Sequence, residues 1–338
     1  MSLFLVDAHS DTLSKIVDKE IFIPEKLKDN HLDLSRLKQG GVKLQIFAMF
    51  TKPTEIGTYG LFKVLKMSQI LYNTEQVNNT FKFVQSQKDI EYLKREKNVI
   101  GGMLSIEGAS PLCGDILILE SLYRLGIRII GLTWNHRNEV ADGIMVSEPQ
   151  YGLTNFGREV IKKMNELGIV IDLSHIAPAG FYDTIEISKH PVIVSHANAK
   201  SVYDHPRNLD DTQLKTLAEI DGVVGICFTP LFLNDKLNII LNKNSLKSIP
   251  SSITDKKYAD IDDVIRHIDY IVEKIGINHV GIGSDFDGIN ILPEGLEDCS
   301  KFPKLFEALS KRGYTKKDIT KIAGENWLRV FKKVLKRG

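Results

Sequence analysis

Short apolar runs alternate with longer stretches whose apolar residues recur at helical spacing. The runs are residues 3–6, 42–50, 99–107, 127–133, 169–174, 192–195, 223–228 and 280–284. They are rich in β-branched residues and end in small or polar ones, the signature of buried strands. Between them, residues 60–86 carry Leu61, Val64, Leu65, Ile70 and Leu71 on a helical period. Further helices are predicted over 115–125, 155–167 with Gly168 just past the end, 178–188, 210–220 and 261–275. Two more, about 302–311 and 315–335, close the chain. Residues 13–41 are mixed, with Leu32, Leu34 and Leu37 near helical spacing before Gly40 and Gly41. Residues 230–259 are polar and weakly patterned, and predict an insertion after the seventh strand.

Eight strands separated mainly by helices predict an α/β chain folded as a (β/α)8 TIM barrel, a single domain over residues 1–338. The strands are continuously apolar, as expected where both faces of a sheet are covered. A doubly wound open sheet is the alternative. No GxGxxG turn and no Walker-type phosphate loop marks a nucleotide site.

Composition removes several function classes. The net charge is +1, so no field favours nucleic acid or an acidic membrane. Cys113, Cys227 and Cys299 are scattered with no CxxC pair, which argues against a disulfide framework or a thiolate zinc site. The first strand begins almost at once, with no basic segment and signal-like apolar core before it, so a cytoplasmic protein is expected.

The chemistry gathers where the strands end. His9 and Asp11 follow the first strand, Glu107 ends the third, His175 follows the fifth, His196 the sixth and Asp285 the eighth. In a barrel these C-terminal strand ends face one mouth. Three imidazoles and several carboxylates suit a pair of metal ions. Glu107 is the best bridge: one metal would take His9, Asp11 and Glu107, the other Glu107, His175 and His196. Two cations lower the pKa of a shared water and supply hydroxide near neutral pH. Asp285 is left beside the site to carry a proton, with a further ligand role as its competitor.

Eight short motifs now line up in order. They are VDAHSDT at 6–12, IEGAS at 106–110, the run from Leu119 through Tyr123 and Gly126 to Arg128 ahead of Leu132 and Thr133, and IDLSH at 171–175. VSHANA at 194–199, HPRN at 205–208, GIGSDFDG at 281–288 and GENWLRVF at 324–331 complete them. Nearly end to end, the sequence resembles the membrane (renal) dipeptidase family, zinc peptidases with a barrel of the metal-dependent hydrolase (amidohydrolase) type. The resemblance implies two Zn2+ ions on His9, Asp11, Glu107, His175 and His196, with Glu107 bridging. It implies Asp285 as the acid/base carboxylate and Arg207 as the holder of the substrate's terminal carboxylate, a role suited to a guanidinium fork. It also implies a dipeptide substrate, tolerance of a C-terminal D-residue and a homodimer.

One position departs from the family. A histidine that helps stabilise the oxyanion directly follows Leu-Thr in family members; here Trp134 stands there, and His136 follows two residues later. Either His136 reaches in and takes the role, or it faces solvent and Trp134 shapes the substrate pocket. The change keeps a rival open, an N-acyl amino acid deacylase or another hydrolase with this barrel. Those often bridge their metals with a carboxylated lysine, and Glu107 argues for the dipeptidase instead. A barrel that binds without turnover is a third reading, opposed by the intact ligand set and Asp285.

Overall fold

Nine parallel strands form one sheet: β1 (Leu5–Ser10), β2 (Val42–Phe50), β3 (Phe81–Phe83), β4 (Ile100–Glu107), β5 (Ile127–Gly131), β6 (Val170–Asp172), β7 (Ile193–Ala197), β8 (Val223–Ile226) and β9 (Val280–Ile282). The computed structural model describes residues 3–55, 57–147, 150–238 and 258–338. The strand order is β2-β1-β9-β8-β7-β6-β5-β4-β3, and β2 also pairs with β4, from Leu44 opposite Gly101 to Phe50 opposite Glu107. That pairing closes eight strands into the barrel that the alternation predicted. β3 stays outside the ring, beside the first residues of β4.

Helices fill the connections: α1 (Thr12–Ile16), α2 (Leu34–Gly40), α3 (Thr58–Val77), α4 (Gln87–Arg95), α5 (Ile116–Arg124), α6 (Asn155–Leu167), α7 (Pro178–Ile187), α8 (Asp211–Glu219), α9 (Pro230–Leu233), α10 (Ile261–Ile275), α11 (Phe302–Arg312), α12 (Lys316–Thr320) and α13 (Asn326–Val334). Local chemistry sets their ends. At α8 the Asp210 carboxylate accepts from the Gln213 amide and the Gln213 side chain accepts from the Asp210 amide. α6 stops at Gly168, which takes the left-handed conformation at φ 79°.

The helix expected over 60–86 ends at Val77, and β3 and α4 follow it. Asn78 breaks it, its side chain accepting from the Thr80 amide and hydroxyl in a local turn. Ser86 then caps α4, accepting from the Asp89 amide. The last expected helix is interrupted between α12 and α13 by a π-turn, Lys321–Glu325, where a side chain on Gly324 would run into the Phe4 carbonyl. Most of the 230–259 insertion lies outside the described residues; its first part forms α9.

Two apolar layers frame the barrel. The larger lies between strands and outer helices and includes Phe47, Leu104, Ile130, Phe181, Ile268 and Phe302. The other gathers strand-start residues Val6, Leu44, Ile129, Val170, Ile193 and Val223 around Trp327, Val330 and Phe331. Trp327 is fully buried, and its indole packs where side chains on Gly225 and Gly281 would collide with it. The N-terminal end is thereby plugged, and the polar groups are left to the opposite mouth.

Candidate metal centre

His9 points inward near the end of β1 and Asp11 follows directly after that strand. Glu107 is the last residue of β4, and His196 lies in β7. His175 and Asp285 sit in the loops after β6 and β9. Both take left-handed backbone conformations, at φ 68° and 65°. For non-glycine residues that conformation costs on the order of 1–3 kcal/mol each, a form of strain that gathers at functional sites.

The six side chains converge. Glu107 Oε1 lies 2.9 Å from His175 Nε2 and 3.6 Å from His196 Nε2, while its Oε2 lies 3.6 Å from His9 Nε2. His9 Nε2 is 3.4 Å from Asp11 Oδ2 and 3.9 Å from Asp285 Oδ1. His175 and His196 bring their Nε2 atoms to 2.8 Å. Glu107 therefore faces all three imidazoles, with one oxygen toward each side. A side chain on Gly288 would fill the space between Asp11 and Asp285, so that glycine leaves room for the carboxylate pair.

Electrostatics explains what this cluster lacks. Burial raises the Glu107 carboxyl well above its usual range, and Asp11 adds to the rise. Burial likewise lifts Asp285 to about 7. Burial lowers His175 and His196 well below the usual imidazole range. His9 goes the other way: burial would lower it, but Glu107, Asp11 and Asp285 together hold it at about 10. Among the described residues, His9 Nε2 and Asp11 Oδ1 are buried without a hydrogen-bond partner. Such atoms are costly unless something compensates them. Oxygen and imidazole donors facing one another across this gap fit divalent cations, which supply the missing positive charge.

A second ring of polar groups holds the first. His175 Nδ1 lies 2.8 Å from Asn135 Oδ1, and His196 Nδ1 lies 2.9 Å from Ser195 Oγ. Ser195 Oγ donates to Asp172 Oδ2 at 2.6 Å. Under β1 and β9, Asp7 accepts from the Ser284 amide at 2.8 Å, the Ser284 hydroxyl at 2.7 Å and Gln45 at 3.0 Å. Sequence reasoning passed over Asp7, Asn135, Asp172 and Ser195. One signal was available: a serine directly precedes both His175 and His196.

Arg207 is buried beside the cluster. Its Nη2 donates to the His196 carbonyl at 3.1 Å and its guanidinium lies over Phe232, 5.5 Å from the ring centre. Among the described residues its Nε has no partner. Trp134 is half-buried, 5.2 Å from the Phe50 ring and 6.0 Å from that of His175. His136 is exposed, 5.6 Å from the Trp134 ring. Both line a recess that reaches Glu107 between Thr51, Glu55 and Ser110. Asp287 steadies the loop after Asp285, accepting from the Thr12 hydroxyl at 2.7 Å and the His31 amide at 2.7 Å. His205 and His267 stand apart from the cluster and bind backbone groups.

A profile of the family described as membrane dipeptidase (peptidase family M19) matches residues 1–337. An uncharacterized dipeptidase of Schizosaccharomyces pombe is 32% identical over 347 residues, covering 97% of this chain and 80% of its own. The crystal structure of a Rhodobacter sphaeroides metallopeptidase, liganded with a phosphinate mimic of the dipeptide L-Ala-D-Ala, superposes with a TM-score of 0.86 at 26% identity. It covers 99% of this chain and all of its own. A dipeptidase of family M19 superposes with a TM-score of 0.86 at 27% identity, covering 99% of each chain. Among the described residues, no helix is long and apolar enough to cross a membrane.

Proposed function

Because the chain belongs to the membrane dipeptidase family, peptidase family M19, and is thereby a metal-dependent dipeptidase, we propose that it works with two zinc ions bridged by Glu107. His9 and Asp11 would complete one site, and His175 and His196 the other. The observation that carries this reading is the convergence of three Nε2 atoms on the two oxygens of one glutamate. Bound there, the zinc pair would polarise the peptide carbonyl and lower the pKa of a shared water.

The protein's own groups supply the rest. Arg207 presents its guanidinium to the terminal carboxylate of the dipeptide and fixes how far the scissile bond lies from the mouth. A carboxylate required one residue beyond that bond selects dipeptides over longer chains. Asp285, 3.9 Å from His9 Nε2, takes the proton of the attacking water and returns it to the leaving amine. Trp134 walls the recess on the side of Glu107, and His136 stands at its rim. The ligand of the Rhodobacter sphaeroides relative supports acceptance of a D-residue at the C-terminal position. The proposed fold unit is a single domain, with most of residues 230–259 outside the described part.

The test is hydrolysis of L,L- and L,D-dipeptides and matched N-acetyl amino acids by chelated and zinc-reloaded protein. Dipeptide cleavage that returns with two zinc ions per chain is expected. Zinc-restored cleavage confined to the acyl substrates would move the function to a deacylase. Full activity with one ion per chain would remove the bridging role of Glu107.

A further inference from the structure

We infer that Ser195, seated on Asp172, locks the tautomers of His9 and His196 and so sets the affinity of the centre for both metal ions. This rests on the two-metal reading above. The argument is a count of protons. A serine hydroxyl has one proton to donate. Ser195 Oγ lies 2.6 Å from Asp172 Oδ2, and a carboxylate oxygen only accepts, so the proton is committed there. Ser174 commits its own proton to Asp172 Oδ1 at 2.8 Å and has none left for Ser195, 3.1 Å away. Asp172 cannot turn away, because the amides of Ser174 and Ser195 also bind its Oδ1, at 3.0 and 2.9 Å.

Ser195 Oγ therefore offers only lone pairs to the two rings beside it. His196 Nδ1 lies 2.9 Å away and His9 Nδ1 3.4 Å away. Each ring satisfies that contact only by carrying its proton on Nδ1. A neutral imidazole protonated on Nδ1 has its lone pair on Nε2, and in both rings Nε2 is the atom facing Glu107. The opposite tautomer would set lone pair against lone pair at Ser195 and aim an N–H into the metal site. One hydroxyl thus serves a ligand of each proposed ion. His175 is locked separately, its Nδ1 donating to Asn135 Oδ1 at 2.8 Å. Ser195 and Asp172 are positioning residues here, and their effect reaches substrate only through the metals.

The test is chelator competition with zinc on the full chain, comparing the parent with Ser195→Ala, Asp172→Asn and Asn135→Ala. Ser195→Ala should weaken both zinc-binding steps by about 10–100-fold. Asp172→Asn keeps the shape but lets its amide donate to Ser195, which turns the serine proton toward the rings and weakens both steps equally. Asn135→Ala should weaken one step only. Parent-like affinity for both steps in Ser195→Ala, or in Asp172→Asn should the alanine variant not fold, overturns the lock. A parent chain that binds no zinc pair defeats the two-metal reading instead. The lock is then judged by nitrogen-15 histidine spectra of the metal-free protein: protonation of His196 on Nδ1 sustains it, and protonation on Nε2 overturns it.

Discussion

The Cys227 thiol lies 3.7 Å from Asp285 Oδ2, placed to donate to the carboxylate proposed as the proton carrier. Cys227 follows β8 and is fully buried, and burial raises its thiol well above the usual range, so it acts here as a neutral donor. A thiol is a weak donor, and losing its hydrogen bond costs about 1 kcal/mol, so Cys227→Ala should lower kcat by roughly fivefold with both metals retained. Asp285→Asn sets the scale beside it: the proton carrier is gone, and kcat should fall by about 10²–10⁴ with metal content unchanged. Steady-state kinetics with metal analysis decides. Parent-like turnover in Asp285→Asn would remove the proton from that residue.

Arg207 predicts a different signature. Its buried guanidinium is pinned by the His196 carbonyl on one side and Phe232 on the other, and among the described residues its Nε has no partner. Lysine cannot reproduce the fork, so Arg207→Lys should raise KM for dipeptides by about 10–100-fold, the worth of a hydrogen bond to a charged group, and change kcat far less. A variant with parent KM would show that the substrate carboxylate is held elsewhere.

His136 tests the departure at position 134. A donor that stabilises an oxyanion must be held in place before reaction. His136 is exposed, and among the described residues its one ring neighbour is Trp134. His136→Ala should therefore reduce kcat/KM by only about threefold, well short of the 10²–10³ that removal of a preorganised donor costs. A loss of the larger size would give His136 the role that the family's histidine fills.

His267 gives a pH dependence remote from the metals. Its Nδ1 accepts from the Ala199 amide at 3.1 Å and its Nε2 donates to the Leu233 carbonyl at 3.1 Å. Burial holds it at about 4, below its ordinary 6.5. The unfolded chain binds the proton first, so stability is whole above pH 6.5 and falls as the pH drops toward 4. The loss at the acid end is on the order of 3 kcal/mol. Urea melts of metal-free parent and His267→Gln should converge as the pH falls through this window. Parallel curves would show that His267 contributes nothing to the acid sensitivity.

The fold and the candidate ligands were legible for the same reason. The barrel strands are largely apolar runs, so the runs gave the architecture, and the polar residues at the ends of five of them gave His9, Asp11, Glu107, His175, His196 and Asp285. β3 was hidden because Phe81–Phe83 is too short to show a period, and the turn at Asn78 looked like part of a helix. The second ring was hidden for another reason. Nothing in the spacing of Asp172 and Ser195 says that one proton between them decides two histidines. That information lies in distances across β6 and β7, which a linear pattern does not contain.

Trp327 bears on the order in which the molecule can be made. It fills the underside of the barrel against Gly225 and Gly281, yet it follows every barrel strand in the chain. β1 pairs on one side with β9, and Asp7 is bound by Ser284. A ribosome that has released only the first two hundred residues has therefore made every proposed metal ligand and no closed ring. The earliest strand waits, with His9 and Asp11 at its end, for a partner near position 280 and a plug near 327. Chains arrested before that plug should present a gaping, protease-sensitive sheet, and the metal centre should appear as one of the last events in the life of the nascent protein.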